Sequence, residues 1–336
     1  MFTRQEVFTE SFLPNAIPGR SQELGELSDA LNPATTGEAA KSCWEIGPSG
    51  VGKTSTARFL LEELRVKWSV RSTKVDCVGS THWQLLSEIA ARHPKVPQHQ
   101  GMGTEGLRER LDANLEHPYV IVLDEFDGLE DPDLLVDLVS VEMVSLICIG
   151  HDLDDAHALV PNDAQSLKHA SVVEFDPYEV APLYEILDAR RDAGLRRGAV
   201  SEEQLQRIAA EVGGSARYAV QALRSAVDLG EERGHTEVKR EDVEDCFDHA
   251  KGRIRRQLLA SLSRQHHLVY RVIREGDGLR AVEVFERYRD VAGDAKTRQM
   301  VTKYRDKLER YDLVERRGRE WVAVDDTLKA PLEKPA

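Results

Sequence analysis

The chain has 336 residues, of which 41% are hydrophobic and 31% are charged, and its formal net charge is −14. This length allows two or three domains, because single hydrophobic cores usually stop growing near about 250 residues. No apolar run approaches the roughly 20 residues that cross a bilayer, and the N-terminus lacks a signal-peptide pattern. We therefore expect no membrane partner and a cytoplasmic location. The 4 cysteines are scattered without C-x-x-C spacing, which argues against a zinc site or a disulfide framework.

The charge is distributed unevenly along the chain. Residues 251–336 hold 21 Lys and Arg against 14 Asp and Glu, whereas residues 1–250 hold 24 against 45. An acidic protein repels nucleic acid, but a basic C-terminal region would attract it. Arg outnumbers Lys by 32 to 13, and an acidic surface with few lysines would suit concentrated intracellular salt. We therefore predict a halophilic source.

A phosphate-binding loop is the first motif along the chain. A short apolar run over 43–46 predicts a strand, and Ala57, Leu60 and Leu64 recur at helical spacing after the loop. Between them, glycines would turn successive backbone N–H groups towards phosphate oxygens. The predicted nucleotide-binding residues of this loop are Gly47, Pro48, Ser49, Gly50, Val51, Gly52, Lys53, Thr54 and Ser55. A nucleoside triphosphate is the implied ligand, with Lys53 against the β- and γ-phosphates and the Thr54 hydroxyl on Mg²⁺.

The next predicted elements are a strand over 70–78, a helix over 83–91 and a loop over 94–103, where Pro and Gly interrupt any periodicity. Continuous apolar strands follow over 118–129 and 144–153. Such strands, when helices separate them, indicate a parallel sheet that is covered on both faces.

Acidic and polar residues follow these two strands directly. Asp124 and Glu125 would lie at the carboxyl end of the sheet, where open α/β sheets bind ligands. Asp124 would hold Mg²⁺ through water and Glu125 would orient the attacking water, while Asp127 would cap the following turn. His151 follows the next strand, where it could sense the γ-phosphate or serve only as a structural residue.

The chain becomes helical after Tyr178, with amphipathic helices predicted over 180–195, 201–212 and 216–233. Ser201 and Gln204 form a plausible capping box for the second of these. Arg217 opens the third helix, and its planar guanidinium suits phosphate oxygens. The alternative is an arginine that faces solvent.

The last part of the chain predicts a helix over 253–274, a turn at EGDG, helices over 281–291 and 296–311, and a hairpin in LVERRGREWVAV. This order is typical of a winged-helix DNA-binding module. Val301, Tyr304 and Leu308 would face its core. One face of the last helix and the hairpin tip would contact DNA, through Arg298, Gln299, Thr302, Lys303, Lys307, Arg316, Arg317 and Arg319. A solvated charged helix is the alternative.

The chain resembles an AAA+ ATPase of the archaeal replication-initiator family. The resemblance rests on the P-loop, the Asp-Glu strand end, the winged helix and four longer stretches: SFLPNAIPGRSQELGEL, EFDPYEVAPLYEILDAR, GGSARYAVQALRSA and LLASLSRQHHLVYRVI. The resemblance implies an α/β P-loop NTPase (AAA+) fold with a parallel sheet, a helical lid domain and a C-terminal winged-helix domain. The corresponding boundaries are 1–176, 177–250 and 251–336.

What the resemblance implies for function is an ATPase that binds ATP or ADP with Mg²⁺, recognises double-stranded origin DNA, and helps to recruit the replicative helicase as a monomer or a weakly self-associating protein on DNA. By the same resemblance, Asp124 and Glu125 are the Mg²⁺ and catalytic acids and Arg217 is the second sensor. By the resemblance, Arg20 belongs to the N-terminal segment that lies near the adenine, and Tyr178 is expected among the nucleotide-binding residues.

The sequence departs from the family pattern at two places. The first sensor of the family is typically asparagine, where this chain has His151. Asp163 stands near the position of an expected arginine finger, and Lys168 is a poor planar substitute for it. The resemblance with these departures predicts slow, switch-like hydrolysis. Two other readings stay open: a paralogue that regulates through DNA without loading a helicase, and a signalling ATPase whose winged helix only packs against its own core.

Overall fold

The computed structural model describes residues 1–68, 70–96 and 101–331 of the chain. Two units divide the chain, Met1–Phe247 and Asp248–Ala336. The predicted boundary at 176/177 lies inside the first unit and stays a prediction. Part of the predicted loop over 94–103 lies outside the described residues.

A five-stranded parallel sheet forms the centre of the first unit. Its strands are β1 (Cys43–Ile46), β2 (Arg71–Asp76), β3 (Tyr119–Asp124), β4 (Val144–Gly150) and β5 (Ser171–Glu174). Their order in the sheet is β2-β3-β4-β1-β5, and every pairing is parallel. The predicted parallel sheet is confirmed, and β5 is an additional strand beside β1.

Helices cover both faces of this sheet. Side chains of β3 alternate between the faces: Val120 and Val122 pack with one core cluster, and Ile121 and Leu123 pack with the other. The first cluster includes buried side chains of α1 (Ser21–Leu31) and α2 (Lys53–Trp68). The second includes those of α3 (His82–Arg92), α4 (Thr104–Asn114), α5 (Asp133–Val139) and α6 (Leu153–Leu159). Short 3₁₀ segments lie at Gln5–Phe8, Asn32–Thr36, Phe126–Gly128 and Asn162–His169.

The helical part of the first unit contains α7 (Val180–Gly194), α8 (Glu202–Glu211) and α9 (Ala216–Glu232). The capping box at Ser201 and Gln204 is confirmed, since the Gln204 N–H donates to Ser201 Oγ (3.3 Å) and the Ser201 N–H donates to Gln204 Oε1 (2.9 Å). The N-terminal segment packs on these helices, because the Gln221 side-chain amide on α9 donates to the Phe8 carbonyl (3.0 Å).

The remaining helices are α10 (Arg240–Ser261), α11 (Arg264–Glu275), α12 (Ala281–Val291) and α13 (Arg298–Arg310). Strands β6 (Leu279–Arg280), β7 (Val314–Arg317) and β8 (Glu320–Ala323) form an antiparallel sheet in the order β6-β8-β7. Three helices and a hairpin in this order are the elements of a winged helix.

The prediction of a single helix over 253–274 is wrong. The structure ends α10 at Ser261 and starts α11 at Arg264, because Ser263 has extended backbone angles (φ −69°, ψ 162°) that no helix can contain. Its Oγ lies 2.7 Å from His266 Nδ1 in the first turn of α11. Neither glycine nor proline marks the break in the sequence, so the hydrophobic periodicity alone predicted one continuous helix.

Among the described residues, no helix combines the length and the apolarity that crossing a membrane requires.

Candidate nucleotide-binding site

The P-loop joins β1 to α2, and its glycines are needed for its backbone shape. Gly50 and Gly52 have φ values of 80° and 96°, in the region that favours glycine. A Cβ on Gly50 would lie 2.5 Å from Ser215 Oγ, and one on Gly52 would lie 2.8 Å from the Tyr178 hydroxyl. Any side chain at these two positions would therefore fill the loop and displace the residues packed behind it.

Lys53 is the first residue of α2 and is buried under the loop. Its Nζ donates to the carbonyls of Gly47 (2.6 Å) and Pro48 (2.7 Å). Burial lowers the pKa of Lys53, while the nearby Glu125 and Asp124 carboxylates act in the opposite direction. The ammonium group is thus held at the mouth of the loop, next to the acids that end β3.

The Asp124 carboxylate accepts hydrogen bonds from three donors. The Thr54 hydroxyl lies 3.1 Å from both of its carboxylate oxygens, and Lys74 Nζ on β2 lies 2.8 Å from its Oδ2. The backbone N–H of Glu125 donates to Asp124 Oδ1 (3.0 Å). The structure therefore brings the two predicted Mg²⁺ ligands together. Lys74 is a neighbour that the sequence analysis did not identify, since it belongs to a different strand.

Glu125 and His151 stand at the ends of adjacent strands. Glu125 has φ 53° and ψ 45°, a left-handed conformation that is rare for a residue with a side chain. His151 Nδ1 lies 2.5 Å from Asp127 Oδ2, and the His151 N–H donates to the same oxygen (3.2 Å). Asp127, predicted to cap the following turn, is thus the carboxylate that orients the His151 ring.

Arg217 reaches the P-loop from the first turn of α9. Its Nη1 donates to Ser49 Oγ (3.0 Å), and its backbone N–H donates to the Gly50 carbonyl (3.3 Å). Its Nε also lies 2.8 Å from Glu10 Oε1. The predicted second sensor is therefore in contact with the phosphate loop, and the solvent-facing alternative is wrong.

Arg20 and Tyr178 support the loop from the other side. Arg20 Nη2 donates to the Val51 carbonyl (2.9 Å) and to the Asp176 carbonyl (2.6 Å), and its guanidinium lies 3.8 Å from the centroid of the Tyr178 ring. These contacts fix the N-terminal segment against the loop. Direct contact of either side chain with a nucleotide stays a prediction.

Glu45 is a site residue that the sequence analysis missed. It lies on β1, is fully buried (0% exposed), and neither carboxyl oxygen has a hydrogen-bond partner within the described part of the chain. Burial raises the pKa of Glu45 well above its ordinary range, Asp124 adds to the rise, and Lys53 opposes it. The available signal was a lone acid inside the apolar run Cys43–Ile46.

The predicted DNA-contacting residues lie in the C-terminal unit. Arg298, Gln299 and Lys303 are exposed on α13, and Thr302 is half-buried. Arg316, Arg317 and Arg319 are exposed at the hairpin tip, where Gly318 has φ 66°. Val301, Tyr304 and Leu308 are buried, as predicted.

Lys307 does not belong to the exposed face. It is only 5% exposed, and its Nζ lies 5.2 Å from the centroid of the Tyr311 ring. The prediction that Lys307 contacts phosphate is wrong, because a position nine residues after Arg298 has rotated into the packed side of α13.

The residues present fit a nucleotide with Mg²⁺. The loop has the backbone shape that only glycines allow, and a hydroxyl and a carboxylate converge beside a buried ammonium. Hard oxygen donors of this kind are those that Mg²⁺ prefers. Thr54 and Asp124 would hold the ion, and Lys53 would contact the phosphates.

Comparison with known proteins agrees with this geometry. Residues 16–149 match the AAA ATPase domain family, and residues 184–248 match the Cdc6 AAA+ ATPase-type lid domain. The chain is 31% identical to ORC1-type DNA replication protein 9 of Halobacterium salinarum, over 97% of this chain and 95% of the relative. It is 33% identical to ORC1-type DNA replication protein 1 of the same organism, over 90% and 99%. The predicted halophilic source fits these relatives.

Solved structures show the same fold. The structure of the Aeropyrum pernix ORC1 protein in complex with DNA superposes with a TM-score of 0.74 at 27% identity, covering 97% of this chain and 94% of that one. The structure of Cdc6p from Pyrobaculum aerophilum gives a TM-score of 0.66 at 22% identity, covering 99% and 96%. The predicted AAA+ fold class is confirmed. Because relatives above 30% identity span nearly the whole chain, the protein belongs to the archaeal Orc1/Cdc6 family of AAA+ ATPases that act as ORC1-type DNA replication proteins.

Proposed function

We propose that this replication protein is an ATP-switched initiator that binds double-stranded origin DNA through its C-terminal unit and helps to recruit the replicative helicase. The observation that carries the switch is the contact of Arg217 with the P-loop, because its side chain donates to Ser49 Oγ and its backbone N–H donates to the Gly50 carbonyl. A nucleotide in the loop would exchange contacts with this arginine and so bias the position of the helical part.

The nucleotide chemistry follows from the residues around Asp124. Mg²⁺ neutralises phosphate charge when it is bound. Thr54 and Asp124 would hold the ion, Lys53 would bind phosphate, and Glu125 would accept a proton from, or orient, the attacking water. His151, oriented by Asp127, stands at the strand end where the first sensor is expected.

Slow hydrolysis is supported by the region of the expected arginine finger. Asp163 is exposed in the 3₁₀ segment Asn162–His169 and carries the wrong charge, and Lys168 is half-buried. An arginine finger contributes 10³-fold or more to the rate of related ATPases. We therefore expect ATP to serve mainly as a conformational ligand.

DNA binding is supported by the exposed Arg and Lys side chains of the C-terminal unit and by the relative from Aeropyrum pernix, whose structure contains DNA. Arg298 and Gln299 begin α13, and these side-chain types suit the guanine and adenine edges of the major groove. Lys303 would contact phosphate, and Arg317 would contact the backbone or the minor groove.

The nucleotide part is tested by ATP turnover of the purified full chain. We expect slow turnover, and Glu125→Gln should prolong the ATP-bound state without weakening ATP binding. A turnover near that of typical ATPases would refute the switch-like character. Equal lifetimes of the bound state in the variant and the wild type would remove the catalytic role of Glu125.

The DNA part is tested by mapping the sites that the protein occupies in cells. Occupied sites that cluster at replication starts support the initiator, dispersed promoters favour the regulator without helicase loading, and an absence of bound DNA would leave the signalling ATPase. In vitro, alanine at Arg298 or Gln299 should cost about 1–3 kcal/mol on the preferred duplex and much less on random DNA. Alanine at Lys303 or Arg317 should weaken both DNAs similarly and flatten the salt dependence.

A further inference from the structure

The outer edge of the central sheet carries a groove whose lining includes one neighbour of the nucleotide site, Lys74, and none of the predicted DNA-contacting residues. Strand β2 is the last strand of the sheet, so one side of its backbone faces away from β3. Two cavities lie along it, of about 370 Å³ and about 280 Å³, and both are lined by Ser72 and Arg92. We call these two cavities together the β2-edge groove.

The backbone of β2 presents hydrogen-bonding groups to this groove. Arg92 Nη1 donates to the Lys74 carbonyl (2.5 Å), so that carbonyl points outward, away from β3. Because backbone groups alternate in direction along a strand, the N–H and C=O of Ser72 point the same way as those of Lys74. An edge strand of this kind can pair with another extended chain.

The charge around the β2-edge groove is opposite to that of its surroundings. Residues 1–250 have an excess of 21 acidic groups, yet the groove is lined by one acid, Glu62, and by the five cations Arg58, Arg65, Arg71, Lys74 and Arg92. Three of the cations have carboxylate partners within the chain, since Arg65 pairs with Glu62, Lys74 with Asp124 and Arg92 with Glu88. Arg58 donates to the backbone carbonyls of Glu10 and Ser11 rather than to a carboxylate. Arg71 is exposed and has no hydrogen bond or ion pair among the described residues.

A buried histidine lies beside the groove. His93 lines the second cavity, is only 4% exposed, and its Nδ1 has no hydrogen-bond partner within the described ranges. Its ring packs edge-on against Tyr119 at 4.9 Å between centroids. Apolar side chains line the groove as well, since Leu13, Leu61 and Val122 contribute to the first cavity.

We propose that the β2-edge groove binds an extended acidic segment of a partner protein, which adds a strand to β2 beside Ser72 and pairs its carboxylates with Arg58 and Arg71, the two lining cations that have no carboxylate partner among the described residues. Main-chain hydrogen bonds would give this mode its affinity, and the flanking arginines and apolar cavities would select alternating acidic and apolar side chains. Charged residues on an edge strand also prevent self-association, but positive charges alone do not exclude an acidic strand.

The test uses the full chain and a fluorescein-labelled octapeptide that alternates Glu with Val, followed by fluorescence anisotropy at low salt. We expect saturable binding that rising salt weakens, because exposed charge pairs are screened. Arg71→Glu should weaken binding about tenfold, as expected when one exposed ion pair is turned into a repulsion. Arg197→Glu is the matched control, since Arg197 is exposed, has no ion pair among the described residues, and lines neither cavity. It should leave the affinity unchanged.

Strand pairing is tested separately from charge. Ser72→Pro removes an outward N–H and spares the ladder to β3, so it should weaken binding while ATP binding persists. The same octapeptide with alternate backbone amides N-methylated keeps its charges and should bind much more weakly, which makes the test independent of how the variant folds. No binding at low salt, equal losses for Arg71→Glu and Arg197→Glu, or equal binding of the methylated peptide would each overturn the proposal. Competition by duplex DNA together with full binding of the methylated peptide would assign the arginines to nucleic acid instead.

Discussion

Glu45 gives the sharpest test of the electrostatics beneath the P-loop. Its carboxyl group is fully buried on β1 and lacks a hydrogen-bond partner among the described residues, so the folded chain holds its proton more tightly than the unfolded chain does. When folding raises the pKa of an acid, the protonated acid stabilises the folded chain fully below the pKa of the unfolded chain, about 4.3 for Glu. That stabilisation is lost as pH rises from there towards the pKa of the folded chain. Each pH unit in that interval lowers the free energy of unfolding by about 1.4 kcal/mol.

The perturbation is Glu45→Gln, which removes the titration and keeps the shape. We expect the variant and the wild type to be about equally stable near pH 4.5. Above that pH the variant should gain on the wild type by about 1.4 kcal/mol per pH unit until the folded-state pKa of Glu45 is reached, where the gain levels off. The assay is urea unfolding followed by tryptophan fluorescence between pH 4.5 and 8, since three of the 4 tryptophans, Trp44, Trp68 and Trp83, lie in the first unit.

Glu38→Gln is the control, because Glu38 is exposed and should leave the pH dependence unchanged. Parallel pH profiles for the wild type and Glu45→Gln would refute the reasoning, since they would show that Glu45 ionises as readily in the folded chain as in the unfolded one.

Three further variants test the remaining site and the C-terminal unit. Lys53→Ala should abolish ATP binding measured by calorimetry while circular dichroism stays unchanged, and tight binding would contradict the P-loop assignment. Gly50→Ala should weaken ATP binding strongly, because a left-handed residue with a Cβ costs about 1 kcal/mol and its methyl would lie 2.5 Å from Ser215 Oγ. Lys307→Ala should lower the thermal stability and leave the salt slope of DNA binding unchanged, since Lys307 is buried against Tyr311. A salt dependence of DNA binding that is shallower by about one unit in the variant would instead show that Lys307 contacts DNA phosphate.

The sequence was most informative where a local conformation depends on a particular residue type at a fixed spacing. The glycines of the P-loop, the apolar β3 and the capping box at Ser201 were predictable because each depends on local spacing. The acids after β3 were predictable as a site for the same reason, since a strand delivers its last side chains to a known edge of the sheet.

Other features depend on contacts between distant segments and could not be read from local patterns. β5 is a short strand, Ser171–Glu174, and only its pairing with β1 identifies it. The contact of Lys74 with Asp124 joins β2 to β3, and the burial of Lys307 depends on how far α13 has rotated by its third turn. The end of α10 at Ser261 has no glycine or proline to signal it.

The left-handed backbone of Glu125 has a consequence for how this position can change. A residue with a side chain at φ 53° costs of order 1–3 kcal/mol, and glycine would relieve most of that cost. Substitution by glycine would therefore stabilise the fold while removing the carboxylate. In a library selected for folding alone, position 125 should drift towards glycine, whereas selection for ATP turnover should restore glutamate. The two selections pull this single position in opposite directions, which makes it a direct measure of how much stability the protein gives up for its chemistry.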